Sequence, residues 1–416
     1  MFRSLSTKKL PRSKSRALQR WRLFHATDFQ SLMFPCFTFC RLVGIFPYKI
    51  NTSTFVSSRE RYILSTIVLI VFCGYGLVVF YQTDFSDRLM YDTVPSALQG
   101  NCYFILGGII TIVTYIMNGP RMRLLQTLQE ISSRLPPESY HKLSWLIHAK
   151  DICGFFFLVA QVPNVYSPDV FQALVKVYTL YITLLVFQID MLYMNCVCVL
   201  KACFKRLNDN LANLRELVVN DEPHLLRRVY HEQRNPFLLM ELKALKKRHL
   251  FVSDTVQMLN STFSLQLLAT VVMTFAEITF SLYFYILQWQ GNVIIDPEKR
   301  IWYSYFTMSI GYFFVKMVLM VWACETGKDQ ASEIGTTVHE VIINTSDKQI
   351  KDELQLFSLQ ILHRENTFSA KGLTVDASLL TAIVGSITTY LLILIQFLVT
   401  SSTNCDKEAP SNVTEF

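Results

Sequence analysis

The amino-acid sequence predicts an all-α integral membrane protein with seven transmembrane helices, its N-terminus inside, its C-terminus outside, and cytoplasmic helical extensions forming an anchor domain. Three observations carry that reading. The 416 residues are 51% hydrophobic and only 17% charged, with a mean hydropathy of +0.30. Apolar stretches of about 20 residues, the length that crosses a bilayer core, recur along the chain. Basic residues crowd onto alternate sides of those stretches.

In chain order, residues 1–61 are expected to form a cytoplasmic N-terminus. Its first 22 residues hold eight Lys or Arg and no apolar h-region with a cleavage site, so no signal peptide is expected to be removed. Residues 29–48 are apolar but broken by two prolines and Arg41, which suits an interfacial or partly embedded helix. Spans one to four, within 62–200, are predicted at 62–82, 98–118, 147–167 and 174–198. Pro163 and Asn164 interrupt the third. A cytoplasmic helical extension and loop fill 201–262, spans five and six lie at 263–288 and 303–324, and an anchor segment fills 325–373. The seventh span is 374–401, followed by an extracellular tail at 402–416.

Thirty-two Lys and Arg lie in the segments assigned to the cytoplasm and four in those assigned outside, which sets the orientation. The outer tail carries an N-glycosylation acceptor at Asn412-Val413-Thr414. Nine Asp or Glu on the outer segments would concentrate cations weakly. The ten cysteines and eight histidines show no paired ligand spacing, so neither a metal nor another cofactor is expected. Nothing in the chain points to nucleic acid.

The cytoplasmic extensions carry helical seams. Leu238, Leu242, Leu245, His249, Val252, Val256, Leu259 and Phe263 follow one another at steps of four and three and lead into the fifth span. Leu207, Leu211, Leu214 and Val218 prolong the fourth span, and Ile350, Leu354, Phe357 and Ile361 form a stripe before the seventh. Such seams must pack, either within the subunit or between subunits. Between them, 219–236 is polar, aperiodic and bounded by prolines, and reads as a flexible loop.

Charges inside spans are rare and usually paired. Counting about 1.5 Å per residue from the outer ends, Glu277 and Lys316 both lie roughly 18–20 Å deep, and Asp190 about 24 Å. The expected ion pair is Glu277 with Lys316, with Asp190 as the alternative partner.

The last span holds a further polar residue, Gln396, inside an apolar run. An amide in hydrocarbon is costly unless it meets protein or water, so it should face a bundle interior or an aqueous pathway. Gly385, Thr389, Leu392, Gln396 and Thr400 fall on one helical face that ions could follow. Polar contact between helices is the structural alternative.

Thr389-Tyr390, five apolar residues and Gln396-Phe397 resemble the C-terminal signature of insect gustatory receptors at every position. Leu391 stands where the sugar-receptor clade has an acidic residue, so the resemblance points away from sugars and toward bitter compounds or other nutrients. It implies a ligand-gated, non-selective cation channel of four like or related subunits, in the plasma membrane of chemosensory neurons, passing monovalent and divalent cations. It also implies that Gln396 and Phe397 form the constriction and its coupling residue, and with the helical face read above this makes Thr389, Leu392, Gln396, Phe397 and Thr400 the expected pore or gate residues, with Thr389 and Tyr390 packing the same helix lower down. A tastant entering from outside would meet Tyr103, Gln161, Asn164, Tyr178, Tyr181, Tyr283, Tyr285, Gln288, Trp289, Tyr303 and Tyr305, although an aromatic belt at the membrane interface would use the same residue types. The alternatives are an insect odorant receptor subunit or a seven-span receptor without its own pore. A G-protein-coupled receptor would need the opposite orientation, a transporter inverted repeats, and an enzyme a polar catalytic cluster, so no enzymatic activity is expected.

Overall fold

A computed structural model describes residues 23–51, 54–84, 94–161, 169–219, 228–290, 297–345 and 347–408. These residues form eleven helices and two antiparallel hairpins. Helix α1 (Phe29–Leu32) opens with a capping box: Ser31 N donates to Asp28 Oδ1 at 2.7 Å and Asp28 N donates to Ser31 Oγ at 3.1 Å. Helix α2 (Phe34–Leu42) begins with Pro35 in its first turn, where no backbone donor is needed. The pair packs into the helical core of the protein. Cys36, Phe37 and Cys40 are buried, and Phe39 stacks on Phe155 with ring centroids 4.1 Å apart. A hairpin of β1 (Tyr48–Asn51) and β2 (Thr54–Ser57) follows, which the sequence pattern did not announce.

The long helices are α3 (Arg59–Asp84), α4 (Val94–Ile116), α6 (Pro137–Val159), α7 (Val170–Val219), α8 (Arg228–Gln290), α9 (Pro297–Asn344) and α11 (Ala377–Glu408). All but α6 are long and apolar enough to cross a membrane on that basis alone. The chain is thus an all-α, seven-span membrane protein in which α6 is the least apolar span. It carries His148, Lys150 and Asp151 at its centre and starts ten residues before the predicted 147.

Spans four and five continue as single helices well beyond a bilayer; the 50 residues of α7 amount to about 75 Å. The predicted seams are what they bury. All eight seam residues from Leu238 to Phe263 are buried, as are Leu207, Leu211, Leu214, Ile350, Leu354 and Phe357; Ile361 is half-buried, and the side chain of Val218 lies outside the described residues. They pack α7 and α8 against α9, α10 (Lys348–Leu362) and the short α5 (Asn118–Ser132). The expected loop at 219–236 is corrected in part: α8 begins at Arg228 and runs through Pro236, while 220–227 lie outside the described residues. A proline removes one backbone hydrogen bond, a cost that a long, packed helix absorbs.

Strands β3 (Ser369–Ala370) and β4 (Leu373–Thr374) turn the chain from α10 toward α11. Lys371 (φ 52°) and Gly372 (φ 88°) supply the two left-handed residues of the tight turn. Lys371 N donates to Ser264 Oγ at 2.8 Å, and Asn260 Nδ2 donates to Thr367 O at 2.7 Å, which pins the hairpin to α8.

Candidate functional site: the last helix and the polar groups beside it

Helix α11 is anchored at its start and uncovered along most of its length. Asp376 caps it, accepting from Leu379 N at 3.2 Å, and Ala377 N donates to Glu325 of α9 at 3.2 Å. Lys328 lies 3.7 Å from Glu325 and 4.0 Å from Asp376, so one polar cluster ties the helix to α9. Leu379, Ile383 and Ile387, at steps of four, form its buried face. Tyr390 touches α8 through Phe275, edge to face at 5.8 Å.

The opposite face is exposed. Gly385, Thr389, Leu392, Gln396 and Thr400, the stripe predicted from the sequence, are all exposed, and Phe397 is 73% exposed. Thr389 Oγ1 donates to Gly385 O at 3.0 Å and Thr400 Oγ1 to Gln396 O at 2.9 Å. Those hydroxyls therefore spend their donors on the helix and leave oxygen lone pairs outward.

The expected ligand-binding residues that the structure describes lie in more than one place. Tyr103 is buried, its hydroxyl 3.1 Å from Thr179 O. Tyr178 packs on Phe72 at 4.8 Å, with its hydroxyl against Gly76. Tyr181 donates to Val43 O at 3.1 Å. These three join α3, α4, α7 and α2 in one aromatic cluster, so packing uses much of their surface. Tyr283 is buried elsewhere, on α8, and Gln161 and Tyr285 are half-buried. Asn164 lies outside the described residues, as do the side chains of Gln288, Trp289, Tyr303 and Tyr305. Asn412, the predicted glycosylation site, does too.

With this architecture in hand, comparison with known proteins is decisive. The 7tm chemosensory receptor family matches residues 33–400. The chain belongs to that family. Among curated relatives it is 32% identical to gustatory receptor 28a of Drosophila melanogaster over 163 residues, 38% of this chain. It is 23% identical to gustatory receptor 39b of the same species, covering 87% of this chain and 98% of that one. The match to 28a covers only 35% of that relative's length, and that to gustatory receptor 28b 34%. The olfactory receptor OR5 of Machilis hrabei shares the fold, with a TM-score of 0.61 at 12% identity, covering 88% of this receptor and 98% of OR5.

The receptor's intramembrane charges are paired differently from the expectation. Lys316 Nζ lies 3.0 Å from Asp190 Oδ2, with both side chains buried, so its partner is the predicted alternative rather than Glu277. Thr270 Oγ1 donates to Asp190 Oδ1 at 3.2 Å, and the rings of Tyr312 and Phe313 lie 5.6 and 5.4 Å from the ammonium. Glu277 instead accepts from Gln99 Nε2 of α4 at 2.9 Å. Rise along a helix fixes depth but not azimuth, and the depth difference was about one turn. A second buried site went unpredicted: Lys150 pairs with Asp151, and Asn195 Nδ2 donates to Asp151 Oδ2 at 2.8 Å. Its signal was legible, since Lys and Asp stand side by side inside a predicted span.

Proposed function

We propose that this receptor is a gustatory receptor subunit acting as a ligand-gated, non-selective cation channel for small-molecule tastants outside the sugar class. The observation that carries the reading is the exposed polar stripe of α11. A span that buries one apolar face in its own subunit and exposes Thr389, Gln396 and Thr400 on another is suited to a conduit shared by several copies. Four like or related subunits would ring it. Gln396 and Phe397 would stand at its constriction, and Thr389, Leu392 and Thr400 would line it. The aromatic cluster around Tyr103, Tyr178 and Tyr181 would couple occupancy of the outer half of the bundle to α11 through α7 and α8. The test is expression of the full chain in a cell without insect receptors, with whole-cell recording against a tastant panel and cation replacement. Reproducible tastant-evoked cation currents support the proposal. Surface expression and tastant binding without current would favour a receptor that lacks its own pore.

A further inference from the structure

Residues 23–33 are latched onto the inner half of α6. Phe24 adopts a left-handed backbone (φ 63°), which a bulky residue rarely takes unless its surroundings hold it there. Its ring stacks on Trp145 with centroids 4.6 Å apart, its N donates to His148 Nδ1 at 3.1 Å, and its O accepts from Ser144 Oγ at 2.8 Å. Beyond it Ala26, Phe29, Leu32 and Met33 are buried, and α1 packs on α6. Beside the stack the rings of His25 and His141, both exposed, meet edge to face at 4.7 Å.

His148, buried at the centre of this contact, can hold the latch in one protonation state only. A backbone N–H can only donate and a carbonyl oxygen only accept. The bonds from Phe24 N to Nδ1 and from Nε2 to Leu32 O, the latter at 3.0 Å, therefore require the neutral tautomer with its hydrogen on Nε2. A proton added at Nδ1 would face the Phe24 N–H, replacing an acceptor by a second donor and burying a charge. Protonation of His25 and His141 would add repulsion that their exposure to solvent weakens. Charged groups on the elements packed against α6 have partners of their own. Asp151 and Lys150 of α6 pair with each other, with Asn195 of α7 donating to Asp151. Asp190 of α7 pairs with Lys316, Asp28 accepts from Ser31 N, and the thiols of Cys36 and Cys40 on α2 lie 4.0 Å apart. Glu138 and Lys142, near His141 on α6, are exposed.

We propose that His148 is a proton-binding site on the cytoplasmic side of the receptor, through which acidification of the cell interior releases residues 23–33 from α6. The bonds to Phe24 N and Leu32 O need the neutral imidazole, so the latch holds at neutral pH and is lost as the pH falls through the histidine range. Release lets Phe24 leave its left-handed conformation, so backbone strain favours opening once the bond to Nδ1 is gone. A permeant weak acid, which crosses the bilayer neutral and gives up its proton inside, is the chemical class that would reach this site. The latch would open whether or not the receptor carries its own pore.

The test is hydrogen–deuterium exchange with mass spectrometry on the purified full-length receptor in lipid nanodiscs, between about pH 7.5 and about pH 5.5, either side of the ordinary histidine value. Labelling times are corrected for the intrinsic pH dependence of amide exchange. Corrected exchange in peptides covering 23–33 should rise at least about threefold at the lower pH, while peptides from the Leu238–Phe263 seam stay within about 1.5-fold. His148→Gln, whose amide can accept from Phe24 N and donate to Leu32 O without titrating, should match wild type at the higher pH and lose most of the rise. Ser144→Ala weakens the latch at Phe24 O and spares His148, so it should move the opening midpoint to higher pH. No rise in the wild type, an equal rise in the seam, or a full rise retained in His148→Gln would overturn the proposal. So would an unchanged midpoint in Ser144→Ala, a variant that decides the matter even where His148→Gln is already open at neutral pH.

Discussion

Removing Lys316 should destabilise the receptor far more than an ordinary surface substitution, because it strands Asp190. The two charged atoms are 3.0 Å apart and both side chains are almost wholly buried. At an effective dielectric of about 20 their attraction is about 5–6 kcal/mol, most of which repays desolvation. Breaking such a pair from one side typically costs about 3–5 kcal/mol. Lys316→Met and Asp190→Asn should each lose about that much, and the double variant should lose at least about 2 kcal/mol less than their sum. Glu277→Gln should couple to Lys316→Met far more weakly than Asp190→Asn does, since the hydrogen bond to Glu277 comes from Gln99 and the lysine's close ion pair is with Asp190. The assay is SDS-induced unfolding of the purified receptor followed by tryptophan fluorescence, with all four corners of each cycle measured in one lipid composition. An additive Lys316–Asp190 cycle would refute the assignment, and coupling of Lys316 to Glu277 instead would restore the pairing first expected from depth alone.

Three further outcomes follow from the same architecture. A C-terminal epitope tag should stain on unpermeabilised cells, because Lys and Arg concentrate thirty-two to four on the opposite side; staining only after permeabilisation would reverse the orientation. Gln396→Ala and Phe397→Ala should shift basal current or the tastant concentration for half-activation while surface expression stays near wild type, since both side chains are exposed and neither makes a hydrogen bond, ion pair or ring contact among the described residues; unchanged dose-response curves in both would make the signature structural. Gly154→Ala would drive a Cβ into the Phe187 ring and should cost about 1–3 kcal/mol in the SDS assay, whereas Gly108→Ala, whose Cβ meets nothing within 4 Å, should cost less than about 1 kcal/mol.

The parts of the fold that were legible are those that a helix announces by its own periodicity. The steps of four and three from Leu238 to Phe263 identified a seam, and every member is buried. The polar stripe on α11 was equally readable, because Gly385, Thr389, Leu392, Gln396 and Thr400 share a face whatever surrounds them. The β1–β2 hairpin was not readable. Its four-residue strands lie beside an apolar stretch, too short to display a period of two. Nor did apolar spacing give the start of α6, where Pro136 and Pro137 open a helix whose first turns are polar.

The aromatic residues show the limit most clearly. Residue type and estimated depth placed Tyr103, Tyr178 and Tyr181 in one layer, and the structure does bring them together. What they do there depends on neighbours from α2 and α3 that no periodicity within α4 or α7 could specify. Val43 O takes the Tyr181 hydroxyl, and Gly76 leaves the space that Tyr178 fills. The same holds for Lys316: depth allowed two acidic partners, and only the packing of α9 against α7 selects Asp190. Local sequence thus fixes which face of each helix is polar or apolar. The relative rotation of the helices decides which polar faces meet, and α11 leaves most of its polar face uncovered among the described residues.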